Sequence, residues 1–162
     1  MEDNRPCKTV AESRVDWLKT VQYEDINPYQ RLFGGRLLAW MDEIAGIVAT
    51  RHSGGVITTA AIDNLLFLKG AHIGDLIAIE ARLTHVGRTS MEVRVDVYRE
   101  ERATGLRYPI NRAYFTEVSI DEKGNPVPVP YGLSIETESE KAEWEGALKR
   151  IENRKLRRKE GF

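Results

Sequence analysis

The period of apolar positions changes several times along this chain, and each change marks an element. In residues 8–23, Val10, Val15, Trp17, Leu18, Val21 and Tyr23 stand among polar neighbours, which predicts a first strand near 14–23. Residues 24–35 are rich in turn formers. Asn27-Pro28 and Gly34-Gly35 punctuate them, so a loop leads directly into a helical pattern. Over 36–52, Leu37, Met41, Ile44 and Val48 recur at helical spacing. Leu38, Trp40, Ala45 and Ile47 make most of the remaining surface apolar, the pattern of a core helix. Ser53-Gly54-Gly55 ends it.

Strand patterns come next. Residues 56–69 are rich in β-branched residues. Over 76–86, Ile77, Ile79, Ala81 and Leu83 alternate with Ala78, Glu80, Arg82 and Thr84. Over 91–99, Met91, Val93, Val95 and Val97 alternate with Glu92, Arg94, Asp96 and Tyr98. Period two is the mark of half-buried antiparallel strands. Gly87-Arg88-Thr89 reads as the tight turn between them. A last strand spans 111–121, and the Pro-Val-Pro-Val-Pro run at 126–130 leaves it in extended form. Residues 138–159 are charged, with Trp144, Leu148 and Ile151 at helical spacing. One long helix before a run of strands predicts an α+β layout with the helix on one sheet face. A single layer leaves sheet edges to be covered, so self-association is expected.

Composition narrows the function classes. The chain has 162 residues, enough for one domain with its own core, and contains no internal repeat. Its net charge of −1 argues against bulk nucleic-acid binding. That neutrality hides an asymmetry: Lys149 to Phe162 carries +5, and the preceding 148 residues carry −6. The basic tail is expected to be a solvated helix or the cover of a subunit edge. The single cysteine, Cys7, excludes an internal disulfide and a four-cysteine zinc site. His52, His72 and His85 have no metal-ligand spacing, so no metal is expected. The polar start, Met1 to Arg5, lacks the apolar stretch of a leader, and no run approaches the roughly 20 apolar residues that cross a bilayer. A cytoplasmic protein with no membrane insertion is expected.

Few residues qualify for chemistry. Asp42 lies within the apolar helix on a seam of small residues, Ala39, Gly46 and Ala49. A carboxylate there is costly unless it is paired, solvated or used. The plain alternative is that Asp42 or Glu43 faces solvent or pairs with Arg36 or Arg51. Gly34 and Gly35 stand where free helix N–H groups and the helix dipole can polarise a carbonyl, or they are simply loop. Asn27 could orient a water or a carbonyl, or merely start an Asn-Pro turn. Gly87, Arg88, Thr89 and Ser90 offer a cation, hydroxyls and backbone donors suited to phosphate, or form a polar hairpin turn. Lys69 is a second phosphate contact or a snorkelling strand-end lysine. Cys7 has no activating partner. No Gly-x-Ser-x-Gly elbow and no nucleotide-binding glycine fingerprint occurs.

Taken in order, Asp25-Ile-Asn27, Leu32-Phe-Gly-Gly35, Met41-Asp-Glu-Ile-Ala-Gly46, Gly87-Arg-Thr-Ser90, Arg112-Ala-Tyr-Phe-Thr116 and Gly124-Asn-Pro-Val-Pro128 form a set. It resembles the hotdog-fold acyl-CoA thioester hydrolases, in particular the bacterial YciA-type enzymes and the cytosolic brain hydrolase, over roughly residues 10–150. The resemblance implies a hotdog fold: an antiparallel sheet wrapped around the 36–52 helix, with residues 1–137 as the hydrolase domain and 138–162 as a charged helical extension. It implies dimers assembled as a trimer of dimers, a homohexamer, with the active site at the dimer interface. Within that site it implies Asp42 as the catalytic carboxylate, acting as general base or as nucleophile through an anhydride, and Asn27 supplied by the partner subunit. It further implies carbonyl polarisation near Gly34 and Gly35, and coenzyme A close to Lys69 and to Gly87, Arg88, Thr89 and Ser90. The implied role is in fatty acid metabolism, with no cofactor beyond the coenzyme A of the substrate. Departures occur at Gly70, where proline is common, at Tyr29-Gln30-Arg31 and at Arg36; they bear on the mouth of the site and on acyl-chain preference. Two other functions fit such a fold. One is a non-catalytic acyl-CoA sensor, although no DNA-binding module is seen. The other is a dehydratase acting on acyl carrier protein, which wants a histidine paired with a carboxylate.

Overall fold

A computed structural model describes residues 4–162; Met1 to Asp3, part of the polar start, lie outside them. Strand β1 (Cys7–Thr9) and the single helical turn α1 (Val10–Ser13) precede β2 (Val15–Thr20). Helix α2 (Gly34–Ser53) is followed by β3 (Val56–Phe67), β4 (Leu76–Val86), β5 (Ser90–Glu100) and β6 (Arg107–Ile120). Strand β7 (Gly132–Ser134) and helix α3 (Glu138–Glu160) complete the chain. The main sheet has the order β2-β4-β5-β6-β3 and is antiparallel throughout, while β1 and β7 form a small parallel pair.

Helix α2 begins two residues before the apolar pattern does and ends on Gly54. That residue adopts φ +71°, a conformation glycine reaches without steric cost, and its N–H donates to Thr50 O at 2.7 Å. Met41, Ile44, Ala45 and Val48 are fully buried against one face of the sheet, where Ile77, Ile79, Val93, Val95, Val97 and Phe115 meet them. The alternation read in 76–86 and 91–99 thus puts its odd positions inside. The helix is not covered all round: Ala39, Asp42, Glu43 and Thr50 are exposed.

The even positions of those strands are not solvated either. Glu92 and Asp96 are each only 2% exposed: α3 covers Glu92 through Arg150, and the guanidinium groups of Arg82, Arg94 and Arg112 close over Asp96. The tail helix is thus covered on one face only: Arg150, Ile151 and Arg154 are half-buried against the sheet, while Lys155 to Phe162 stay exposed. Arg150 Nη2 donates to Glu92 Oε1 at 2.7 Å, and its guanidinium stacks 3.5 Å above the Tyr114 ring. Arg94 bridges Asp96 to Glu143 of α3, and Arg154 and Arg157 both reach Asp63 on β3. Trp144 packs on His85 with ring centroids 4.2 Å apart. Helix α3 is closed by a reciprocal box in which Thr137 Oγ1 accepts from Glu140 N–H and Glu140 accepts from Thr137 N–H. Two sheet edges remain, β2 and β3. On β3, Val56, Leu66 and Phe67 are large, apolar and more than half exposed.

Candidate active site

The loop before α2 is built by two side chains. Asp25 is 6% exposed; its Oδ2 accepts from Gln22 N–H at 2.8 Å and its Oδ1 pairs with Arg36 Nε at 3.2 Å. Its carbonyl accepts from Phe33 N–H at 2.8 Å, so the loop start is tied to the helix start. Asn27 does start a turn, as the plain alternative has it. Its Oδ1 accepts from Tyr29 N–H at 3.0 Å and Arg31 N–H at 3.2 Å, which leaves Nδ2 with no partner among the described residues. The oxygen is therefore committed to the loop, and the amide donor is available.

Arg36 is thus engaged with Asp25, and Arg51 donates to Arg14 O, so neither is paired with Asp42. The N–H groups of Gly34 and Gly35 lie in the first turn of α2, ahead of the first helical bond from Leu37 to Phe33, and have no acceptor among the described residues. A Cβ on Gly35 would sit 2.6 Å from the Phe33 ring, and one on Gly34 would sit 3.3 Å from Phe67. Gly34, Asn27 and Lys69 line one cleft of about 460 Å3 with Phe67, Leu68 and Ile110.

Asp42 is not part of that cleft. It sits on the exposed flank of α2, where Thr59 of β3 donates its hydroxyl to Asp42 Oδ1 at 2.7 Å. The same Thr59 oxygen lies 3.2 Å from both carboxylate oxygens of Glu117, its cross-strand neighbour on β6. Glu117 has no exposed surface, and burial pushes its carboxyl up to about 7, with a smaller contribution of the same sign from Asp42 and an opposing one from Thr59. Stability therefore depends on pH. Between the ordinary carboxylate range and pH 7 the folded state holds a proton that the unfolded chain has lost, so stability is highest below that range and falls as pH rises towards 7. The size is about 3 kcal/mol. Melting of the unaltered protein and Glu117→Gln from pH 5 to 8 checks this. The difference between them should shift by most of that amount in favour of the glutamine variant, and parallel curves would contradict it.

The Gly87 turn lies in a third place. Gly87 N–H donates to Ser90 O at 2.8 Å, and Arg5 ties Gly87 O to Val129 O. Thr89 and Ser90 line a shallow groove of about 290 Å3 with Ala60, Lys155 and Arg158. The residues picked from the sequence thus form three clusters within one chain: Asn27, Gly34 and Lys69; Asp42; and the turn at 87–90. None of the histidines joins Asp42. His52 is fully buried with Nε2 donating to Tyr131 O, His85 lies under Trp144, and His72 sits in the loop before β4. Sequence reasoning missed Thr59 and Glu117. Glu117 had a readable signal, because it occupies the inward parity of Ala113, Phe115 and Ser119.

Residues 29–106 match the sequence profile of the Thioesterase superfamily. YkhA of Bacillus subtilis, described as an acyl-CoA thioester hydrolase, is 38% identical over 97% of this chain and 89% of its own length. The cytosolic acyl coenzyme A thioester hydrolase of Rattus norvegicus is 35% identical over 96% of this chain, which spans 41% of that protein. Among solved structures, an acyl-CoA hydrolase of Staphylococcus aureus, in an asparagine-to-alanine variant bound to coenzyme A, superposes with TM-score 0.90. It is 35% identical over 98% of this chain and 94% of its own. A hexameric acyl-CoA thioesterase superposes with TM-score 0.88 and 40% identity, covering 94% of this chain and 97% of its own.

Proposed function

Because this chain belongs to the acyl-CoA thioester hydrolases of the Thioesterase superfamily, we propose that it hydrolyses acyl-CoA to a free acid and coenzyme A, with Asp42 as the reacting carboxylate. The observation that carries the reading is an exposed helix carboxylate whose Oδ1 is held by Thr59 and whose Oδ2 has no partner among the described residues. Solved variants of the Staphylococcus aureus hydrolase replace an asparagine, an aspartate and a threonine that are 15 and 17 residues apart, the spacing of Asn27, Asp42 and Thr59 here. That supports reading the three as one site.

Hydrolysis adds water oxygen to the thioester carbonyl carbon, breaks the C–S bond and returns a proton to the departing thiolate. Asp42 Oδ2 takes the proton from water, or attacks the carbonyl itself and is freed by water through an anhydride. The open N–H groups of Gly34 and Gly35, at the positive end of α2, suit the developing oxyanion. Asn27 Nδ2 suits a donor to water or carbonyl.

Asn27 and Asp42 occupy separate places in one chain, so the site needs a second copy, and the exposed apolar edge β3 is the surface for it. A homohexamer built from such dimers is proposed, in keeping with hexameric relatives. Lys69 and the turn Gly87, Arg88, Thr89 and Ser90 are proposed to hold coenzyme A, and no other cofactor is assigned. The cytoplasm is proposed as its setting, following the cytosolic relatives; among the described residues no helix is long and apolar enough to cross a membrane. Release of free thiol from acyl-CoAs of increasing chain length tests the reading. Turnover on at least one of them is expected. Tight acyl-CoA binding without thiol release would replace the enzyme with a sensor.

A further inference from the structure

Glu117 plays no part in the hydrolytic steps, yet it is a fully buried acid in contact with the residue that holds Asp42. Thr59 has one hydroxyl proton and two carboxylates around it. The shorter contact, 2.7 Å, goes to Asp42 Oδ1, and both Glu117 oxygens stand at 3.2 Å. A hydroxyl can give its proton to only one of them, so the second carboxyl must carry a proton of its own or face Thr59 lone pairs unpaired. We propose that Glu117 is a positioning residue that, while protonated, donates to Thr59 Oγ1, which directs the Thr59 proton to Asp42 and holds that carboxylate in its reactive orientation.

The surroundings fit a neutral acid. From α2 the charged group facing Glu117 is Asp42, which is of the same sign; β3 presents the Thr59 hydroxyl, and Met91 of β5 is the cross-strand neighbour on the other side. No cation among the described residues contributes to it. Glu117 therefore loses its proton near neutral pH rather than in the acid range. Once it does, two anions flank one hydroxyl, the Thr59 proton is contested, and Asp42 loses its fixed orientation.

This inference rests on the hydrolase reading, and the test separates the two. Steady-state hydrolysis is compared for the unaltered protein, Glu117→Gln and Glu117→Ala, each as the assembled whole chain, from pH 5.5 to about 9. Infrared difference spectra of the unaltered protein against Glu117→Gln are taken at the two ends. The glutamine amide donates to Thr59 at every pH. The unaltered enzyme should lose about three- to tenfold in kcat above pH 7, the factor carried by one ordinary hydrogen bond. Glu117→Gln should lack that decline, Glu117→Ala should be reduced at all pH values, and KM should change little in either. A protonated-carboxyl band should be present at low pH and vanish at high pH. Absence of that band at low pH, or a Glu117→Gln profile that superposes on the unaltered one, overturns the proposal. An unaltered protein that hydrolyses no acyl-CoA overturns the hydrolase reading and the positioning role with it, and the infrared band still reports the proton on Glu117.

Discussion

Asp42→Asn is expected to lower kcat by about 10²–10⁴-fold, the range that a positioned proton acceptor contributes. Asparagine keeps the shape and an acceptor oxygen for the Thr59 hydroxyl, so the clamp at 2.7 Å survives. It loses only the basic, nucleophilic oxygen. Because Asp42 is exposed on the helix flank, its replacement leaves the core of Met41, Ile44 and Phe115 intact, and stability should change by about 0.5 kcal/mol or less. Coenzyme A binding, proposed to rest on Lys69 and the turn at 87–90, should persist, so the loss falls on kcat rather than KM. Near-normal turnover by the asparagine variant on every acyl-CoA tried would remove Asp42 from the chemistry.

Glu92→Ala is expected to destabilise the fold by about 3–5 kcal/mol, the usual consequence of leaving one member of a buried ion pair behind. Glu92 is 2% exposed and accepts from Arg150 and from the buried Thr84 hydroxyl, the latter at 2.7 Å. Without it, Arg150 retains the Tyr114 ring and a weak 4.0 Å contact with Glu143, neither of which balances a charge held between a sheet and a helix. Denaturant unfolding followed by helix signal measures the effect. Glu92→Met combined with Arg150→Met should recover most of it, since apolar replacements of equal bulk remove both charges together. A single variant that costs under about 1 kcal/mol would show that α3 is held by Ala147 and Trp144 rather than by the charged layer.

Much of the main sheet could be read from alternation alone, because Ile77 to Leu83 and Met91 to Val97 face a helix whose own spacing is unambiguous. The outer face could not. Glu92, Arg94 and Asp96 look like a solvated face in the local sequence, and their cover, Glu143, Arg150 and Arg154, lies some fifty residues on. Strands β1 and β7 were missed for a similar reason: each has three residues, and only their mutual pairing defines them. At the site, Asp42, Asn27 and Gly34 stood out as chemistry-bearing residues in places that needed explaining. Thr59 did not, because a threonine in a β-branched strand is ordinary. Its role depends on the register that sets it opposite Glu117 and beneath α2.

The central claim is that one chain carries two halves of different sites, Asp42 for one and Asn27 for the other. Reassembling Asp42→Asn and Asn27→Ala, each expected to be nearly inactive alone, from an equal mixture tests it most directly. With random pairing in two-fold dimers, half of the dimers are mixed and each mixed dimer contains one intact site, so activity should return to about a quarter of the unaltered value. A mixture that forms mixed oligomers yet stays as inactive as either variant alone would contradict the account, because both residues would then serve the same site from the same chain.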